Sequence, residues 1–337
     1  MQPKVSVIIP AFNAAATLPE TLASICAQRG VPYELVVVDD GSSDNTATVV
    51  ATAVPSAKLV RQANAGRGTA RNVGFEHSIG EYVYFFDADD IMEPNAIERL
   101  STWLDGHPAC DVAFGDCLVF CGNPSTAIFR EPMCDEAGTL LYRHLTRPFI
   151  LPITAMMRRR VYERVGGMHP QLKSNEDWHF WLKVSVNGSV FQPIGGPPVA
   201  RYRTYAHSRA SSLVHPRSAV ETLRFLQVEY GHLVPQEIRL SRHIAKARAD
   251  YSRTLLREGL TQEAWCEWFS SLKHSRKNFY PNAFVFCISL LLGPRRAEAI
   301  LVNFKSFRTR LRNTVVAATA TTHRRRKHAS CVGVDKK

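Results

Sequence analysis

Between residues 5 and 107, four short β-branched or aromatic runs alternate with four amphipathic stretches, and few architectures accept that rhythm. "VSVIIP" (5–10) and "ELVVVDDGS" (34–42) read as buried strands, "AKLVRQ" (57–62) as a short third strand and "YVYFFDADD" (82–90) as a fourth. "TLPETLASICAQ" (17–28) reads as a helix capped near Thr17, because Leu18, Leu22 and Ile25 recur at spacings of four and three. Residues 43–54, 65–80 and 95–107 supply three more helices. This order predicts a parallel, three-layer α/β sheet with right-handed crossovers.

Ligands of such sheets collect beyond the carboxyl ends of the strands. Two groups of acids fall there: Asp39 with Asp40, and Asp87, Asp89 and Asp90. Carboxylates this crowded repel one another, and an ionised one near a core is costly. Helix capping accounts for one of the later three, not all. A divalent cation relieves the rest, and magnesium or manganese keeps positions open for substrate phosphates. Such a cation also stabilises charge on a departing diphosphate, so the pattern points to a nucleotide-diphosphate substrate. A further pair, Glu176 and Asp177, lies in "NEDWHFW" (175–181) beside aromatic residues. An apolar setting raises the pKa of one such acid and suits it to general-base work; helix-start charge is the competing reading.

Farther along, residues 111–120 predict a strand, 153–167 a strand and helix, 175–188 a hydrophobic helix, and 196–205 a turn and strand. Helical patterns follow at 218–232, 235–258 and 261–275. The expected division is a catalytic domain at 1–215, a helical extension at 216–320 and a basic, disordered tail at 321–337. Charge divides unevenly over the 337 residues, whose formal net charge is +12. Residues 1–100 carry a net −5 and residues 295–337 a net +10. Ile300, Phe304, Phe307 and Leu311 share one helical face, flanked by Lys305, Arg308, Arg310 and Arg312. That is the profile of an interfacial helix and predicts an anionic membrane surface as partner; a solvated basic end is the alternative.

The eight cysteines form no Cys-x-x-Cys pair, which fits a reducing cytosol, so a cytoplasmic location is expected, peripheral to the inner face of the plasma membrane. Lys4, the apolar run 5–12 and the small residues 14–16 imitate a leader peptide, but Ser6 and Pro10 interrupt the run and it is read as a strand. The longest apolar run, residues 283–292, is too short to span a bilayer.

Four segments in series, "VSVIIPAFNAAATLPETLASICAQ", "ELVVVDDGSSDNT", "NAGRGTARNVGFEHSIGEYVYFFDADD" and "NEDWHFWLKV", resemble family-2 glycosyltransferases over residues 4–205. The resemblance implies the type A glycosyltransferase fold, a three-layer α/β/α nucleotide-diphospho-sugar transferase fold, here with a helical C-terminal extension. It implies a nucleotide-diphospho-sugar donor, a UDP-sugar foremost, and inversion at the anomeric carbon. Pro10, Ala11 and Phe12 would line the nucleotide pocket, with Phe12 against the base. Asp40 would accept a hydrogen bond from the base, Arg71 would lie near the nucleotide, and Asp89 would contact the ribose. Asp90 would hold Mg2+ or Mn2+, with Asp87 supporting the loop. Asp177 would deprotonate the acceptor hydroxyl, supported by Glu176, with Trp178 and Trp181 on the acceptor side. Arg201, Arg203 and His207 would assist with phosphate or metal, or hold the fold. The acceptor would be a glycan or lipid-linked glycan in cell-surface polysaccharide or glycolipid synthesis.

Rival classes fit less well. A dinucleotide-binding dehydrogenase needs Gly-x-Gly-x-x-Gly after the first strand, where this chain has "PAFNAAA". A sugar-phosphate nucleotidyltransferase needs a glycine-rich basic loop there. Nucleic acid is not expected, because the basic residues gather far from the acids and interleave with no aromatic sheet face. A non-catalytic nucleotide-sugar-binding relative would retain the donor without turnover, and the intact Asp40, Asp89, Asp90 and Asp177 argue against it.

Overall fold

The computed structural model describes residues 2–129, 140–146, 150–205 and 213–274. In chain order it holds β1 (Val5–Ala11), α1 (Leu18–Cys26), β2 (Tyr33–Asp39), α2 (Thr46–Ala53), β3 (Lys58–Arg61), α3 (Arg67–Glu76), β4 (Tyr82–Phe85), β5 (Ile91–Met92), α4 (Ala96–Gly106), β6 (Val112–Phe114), β7 (Cys117–Cys121) and β8 (Ile128–Phe129). Then come α5 (Leu140–Thr146), β9 (Ala155–Arg158), α6 (Arg159–Val165), α7 (Glu176–Val186), β10 (Phe191–Pro193), β11 (Ala200–Thr204), α8 (Val214–Tyr230), α9 (Leu240–Arg257) and α10 (Thr261–His274).

β1 is buried throughout because both faces of its sheet are covered. Successive strand side chains point to opposite faces. Val5, Val7 and Ile9 therefore pack with Leu18, Leu22 and Ile25 of α1 and with Ile97, Leu100 and Leu104 of α4. Ile8 packs on the other side with Val36, Val38 and Phe85, and with Ala70 of α3 and Phe180 and Trp181 of α7. Gly74 lets α3 lie this close: a Cβ there would stand 2.3 Å from Ile8 Cγ2.

The main sheet runs β10-β6-β9-β4-β1-β2-β3. It is mixed, not parallel as the strand–helix alternation predicts. β9 lies antiparallel to both neighbours, with Tyr82 opposite Arg158 and Val112 opposite Met157. The alternating pattern ends before β9, so it carries no information about that strand's direction. The run 111–120 is two strands. The chain leaves the main sheet after Phe114 and joins a second sheet, ordered β5-β11-β7-β8. There β11 pairs parallel with β7 and antiparallel with β5.

The first compact unit runs to Ala247 and the second begins at Arg248. It thus takes in α8, which the sequence division at 215 assigns to the helical extension. Leu223 and Leu226 of α8 pack with Trp178, Leu182 and Val186 of α7. In the second unit, Arg248 donates to Glu267 at 2.6 Å, and Trp265, Trp268 and Phe269 form an aromatic cluster. No helix among the described residues is long and apolar enough to cross a membrane. The amphipathic segment 300–311 and the tail 321–337 lie outside the described residues.

Candidate active site

β1, β2 and β4 run parallel, so the loops that follow them emerge at one edge. At the end of β1, Pro10 and Ala11 are buried and paired with β2, so they contribute backbone, while Phe12, just after it, is 50% exposed. Asn13 has a positive φ of 49°, and its side chain accepts the Ser43 N–H at 2.8 Å, fastening the first loop to the second.

Asp40 is buried and accepts from Gln62 Nε2 at 2.7 Å and from the backbone N–H groups of Ala65 and Gly66, each at 2.9 Å. A carboxylate has about four acceptor positions. Three are therefore held by the protein's own loop, which leaves one for a base. Asp40 also sets the start of α3, where Gly66 adopts a φ of 95°. That conformation suits glycine, which has no Cβ to clash.

The acid-rich loop after β4 is pinned on every side. Thr17 Oγ1 donates to Ala88 O at 3.1 Å and Thr21 Oγ1 to Asp90 O at 2.8 Å. Arg203 donates its Nε to Asp89 O and its backbone N–H to Asp90 Oδ1, both at 2.7 Å, and its guanidinium also pairs with Glu20. Tyr205 donates its hydroxyl to Asp89 Oδ2 at 2.9 Å. Asp87 receives Arg71 at 2.6 Å. These partners divide the repulsion. Burial, followed by Asp87, raises the pKa of Asp89. Burial, then Asp87 and Asp89, pushes Asp90 well above the usual carboxylate range.

Asp90 has no exposed surface, and its Oδ2 has no hydrogen-bond partner among the described residues. A buried, bare carboxylate oxygen beside two more acids is the environment a hard divalent cation stabilises. The residues thus fit the expected metal, and Asp90 would be its protein ligand. No group of three or more metal-ligating side chains occurs among the described residues, so further ligands would come from phosphate and water.

The second acid pair opens α7. Glu176 is buried, with Arg71 at 2.9 Å and Arg67 at 3.3 Å from its Oε1. Burial opposes its charge, but the two guanidinium groups prevail and lower its pKa. Asp177 has no such close partner among the described residues; its Oδ1 accepts the Trp178 N–H at 2.8 Å. Burial first, then the Glu176 charge, raises its pKa to about 6. One of two neighbouring acids is thereby kept ionised, and the other is poised to exchange a proton near neutrality.

Arg71 connects the two acid groups. Its side chain is 1% exposed, and it holds Asp87 and Glu176 simultaneously. The guanidinium is enclosed in an ion-pair bridge between the loop after β4 and the start of α7. Arg67, one turn earlier on α3, was legible as a companion from its i, i+4 spacing and was missed. Thr17, Thr21 and Tyr205, whose links to the acid loop have no local signal, were also missed, as was Glu20, which pairs with Arg203.

Other expected residues make packing or ion-pair contacts. Trp178 is buried in the cluster with α8 and donates its indole N–H to His144 O. Trp181 packs against Phe180 and Phe191. Arg201 pairs with Glu93 and donates to Pro124 O. His207 lies outside the described residues.

Residues 6–166 match the model of glycosyl transferase family 2. An uncharacterized glycosyltransferase of Haemophilus influenzae is 24% identical over 232 residues, covering 68% of this chain and 78% of the relative. The crystal structure of S. aureus TarS 1–349 in complex with UDP-GlcNAc aligns with a TM-score of 0.65 at 21% identity, covering 90% of this chain and 92% of that one. The mannosyltransferase PcManGT of Pyrobaculum calidifontis, in complex with GDP-Man and Mn2+, aligns with a TM-score of 0.52 at 20% identity, covering 88% and 83%. These two likenesses show the type A glycosyltransferase fold. With the family match over residues 6–166 and glycosyltransferase-named relatives, the chain is an enzyme of the glycosyltransferase class.

Proposed function

We propose that the protein transfers a sugar from a nucleotide-diphosphate donor, a UDP-sugar foremost, to the hydroxyl of a cell-surface glycan or lipid-linked glycan, with inversion. The observation that carries this reading is the Arg71 bridge, which joins the acid loop to the acceptor-side pair within one ion-pair network. Phe12, half-exposed at the same edge, offers a face for the base. The UDP-GlcNAc complex of TarS supports a uridine donor, and the GDP-Man complex of PcManGT supports GDP as the next candidate.

Asp177 takes the proton of the acceptor hydroxyl. The freed oxygen bonds to the anomeric carbon while the bond from that carbon to the diphosphate oxygen breaks. A single in-line displacement inverts configuration and needs no covalent enzyme intermediate. Glu176, held ionised by Arg67 and Arg71, keeps Asp177 proton-hungry. A cation held at Asp90, when bound, would offset negative charge on the leaving diphosphate.

The test is a screen of purified protein against UDP-, GDP- and dTDP-sugars with Mn2+ or Mg2+ and mixed surface-glycan acceptors, reading nucleoside diphosphate release. One donor is expected to turn over, and Asp177→Asn should bind that donor while losing about 100-fold or more in transfer. Full transfer by Asp177→Asn would defeat the assignment. Residues 281–337 are proposed to dock on anionic membrane at the inner face of the plasma membrane. Their deletion should weaken binding to phosphatidylserine-containing vesicles more than donor binding, and equal vesicle binding would exclude that role.

A further inference from the structure

Among the described contacts to the acid loop, most come from well-enclosed groups. Thr21 reaches Asp90 O from a fully buried position, and the Arg203 side chain, 12% exposed, grips Asp89 O and Glu20. Tyr205 is different. It is 50% exposed, stands one residue past the end of β11, and touches the loop through a hydroxyl donated to Asp89 Oδ2 at 2.9 Å. Arg203, two residues earlier on the same strand, anchors the backbone, so the phenol can swing away while the strand stays in register.

We propose that Tyr205 sets donor affinity by competing for Asp89. The phenol is an O–H donor resting on the carboxylate oxygen that a ribose hydroxyl would use. Two hydroxyl donors of the same kind address one acceptor, so binding of the nucleotide exchanges the phenol for a sugar hydroxyl. The phenol then swings into solvent. This rests on the reading that Asp89 takes the ribose of the donor. It predicts that the enzyme holds its donor more loosely than its acid loop alone would allow, which favours release of the nucleoside diphosphate after transfer.

The experiment compares the full chain with its Tyr205→Phe and Asp89→Asn variants by calorimetric titration with UDP, 2′-deoxy-UDP and 3′-deoxy-UDP in Mn2+, and with the GDP series in parallel. Tyr205→Phe removes the competing hydroxyl and keeps the ring. It should tighten the ribonucleotide by about threefold to tenfold, the range of one exchanged hydrogen bond. That gain should vanish for the deoxy analogue lacking the hydroxyl that meets Asp89. Unchanged or weaker binding by Tyr205→Phe, while Asp89→Asn still weakens the ribonucleotide, would overturn the competition and leave the ribose contact standing. Unchanged binding by Asp89→Asn would overturn the ribose contact itself, and with it the role of Tyr205.

Discussion

Replacing Arg71 by methionine should destabilise the fold more than any other single change at this edge. Arg71 and Glu176 have side chains 1% and 2% exposed and lie 2.9 Å apart, while Asp87, at 2.6 Å from Arg71, is 21% exposed. Removing one partner of a buried ion pair leaves an uncompensated charge and costs about 3–5 kcal/mol. Arg67 remains 3.3 Å from Glu176 but is itself 57% exposed, so it offsets part of the loss and places the expected value near the low end, about 3 kcal/mol. That is a large share of the roughly 5–15 kcal/mol by which domains are stable. The assay is urea unfolding at pH 7.5 followed by tryptophan fluorescence, with Trp178 and Trp181 buried as reporters. Arg71→Met combined with Glu176→Gln should be less damaging than the sum of the two, because each leaves behind a charge that the other removes. A loss below about 1 kcal/mol for Arg71→Met, or strict additivity in the double variant, would refute the bridge as the element joining the two acid groups.

The raised pKa of Asp177 fixes the sign of the pH response. A base works when ionised, so kcat/KM should fall about tenfold per pH unit below an apparent pKa of about 6 and level off above it. A limb near pH 4 would contradict the assignment. Glu176→Gln should move the limb to lower pH, since the lost negative charge is one of the causes of the shift. Asp90→Asn should abolish Mn2+- or Mg2+-supported transfer while leaving unfolding in EDTA unchanged or improved, because burial disfavours the Asp90 charge and its Oδ2 has no hydrogen-bond partner among the described residues. Metal-dependent transfer at wild-type rates in that variant would exclude Asp90 as ligand. Gly74→Ala should cost about 1–3 kcal/mol in the same urea assay, since its methyl collides with Ile8.

The first half of the fold was legible because periodicity speaks directly there. β1, α1, β2 and β3 lie within a few residues of the segments their apolar spacing predicts. β9 was legible as a strand but not in direction, since a short buried run reads the same both ways. The acids of the site were legible from crowding at strand ends. Their partners were not: Arg203 and Tyr205 lie 113 and 116 residues away from the carboxylates they meet, and no local pattern connects them. Asp40 shows the converse. Its position at the edge was readable, but its commitment to Gln62, Ala65 and Gly66 depends on how the loop before α3 curls.

The antiparallel insertion of β9 has a consequence for biosynthesis. β4, an aromatic strand, finds β1 as soon as it leaves the ribosome, but its other flank waits for β9. Roughly seventy residues separate the two strands, about 4–15 s of translation, during which Tyr82–Phe85 presents an unpaired backbone flank. Nascent chains stalled before residue 155 carry a sticky ribbon just ahead of the acids destined for catalysis, so the interval before β9 emerges is the period of greatest need for chaperone cover.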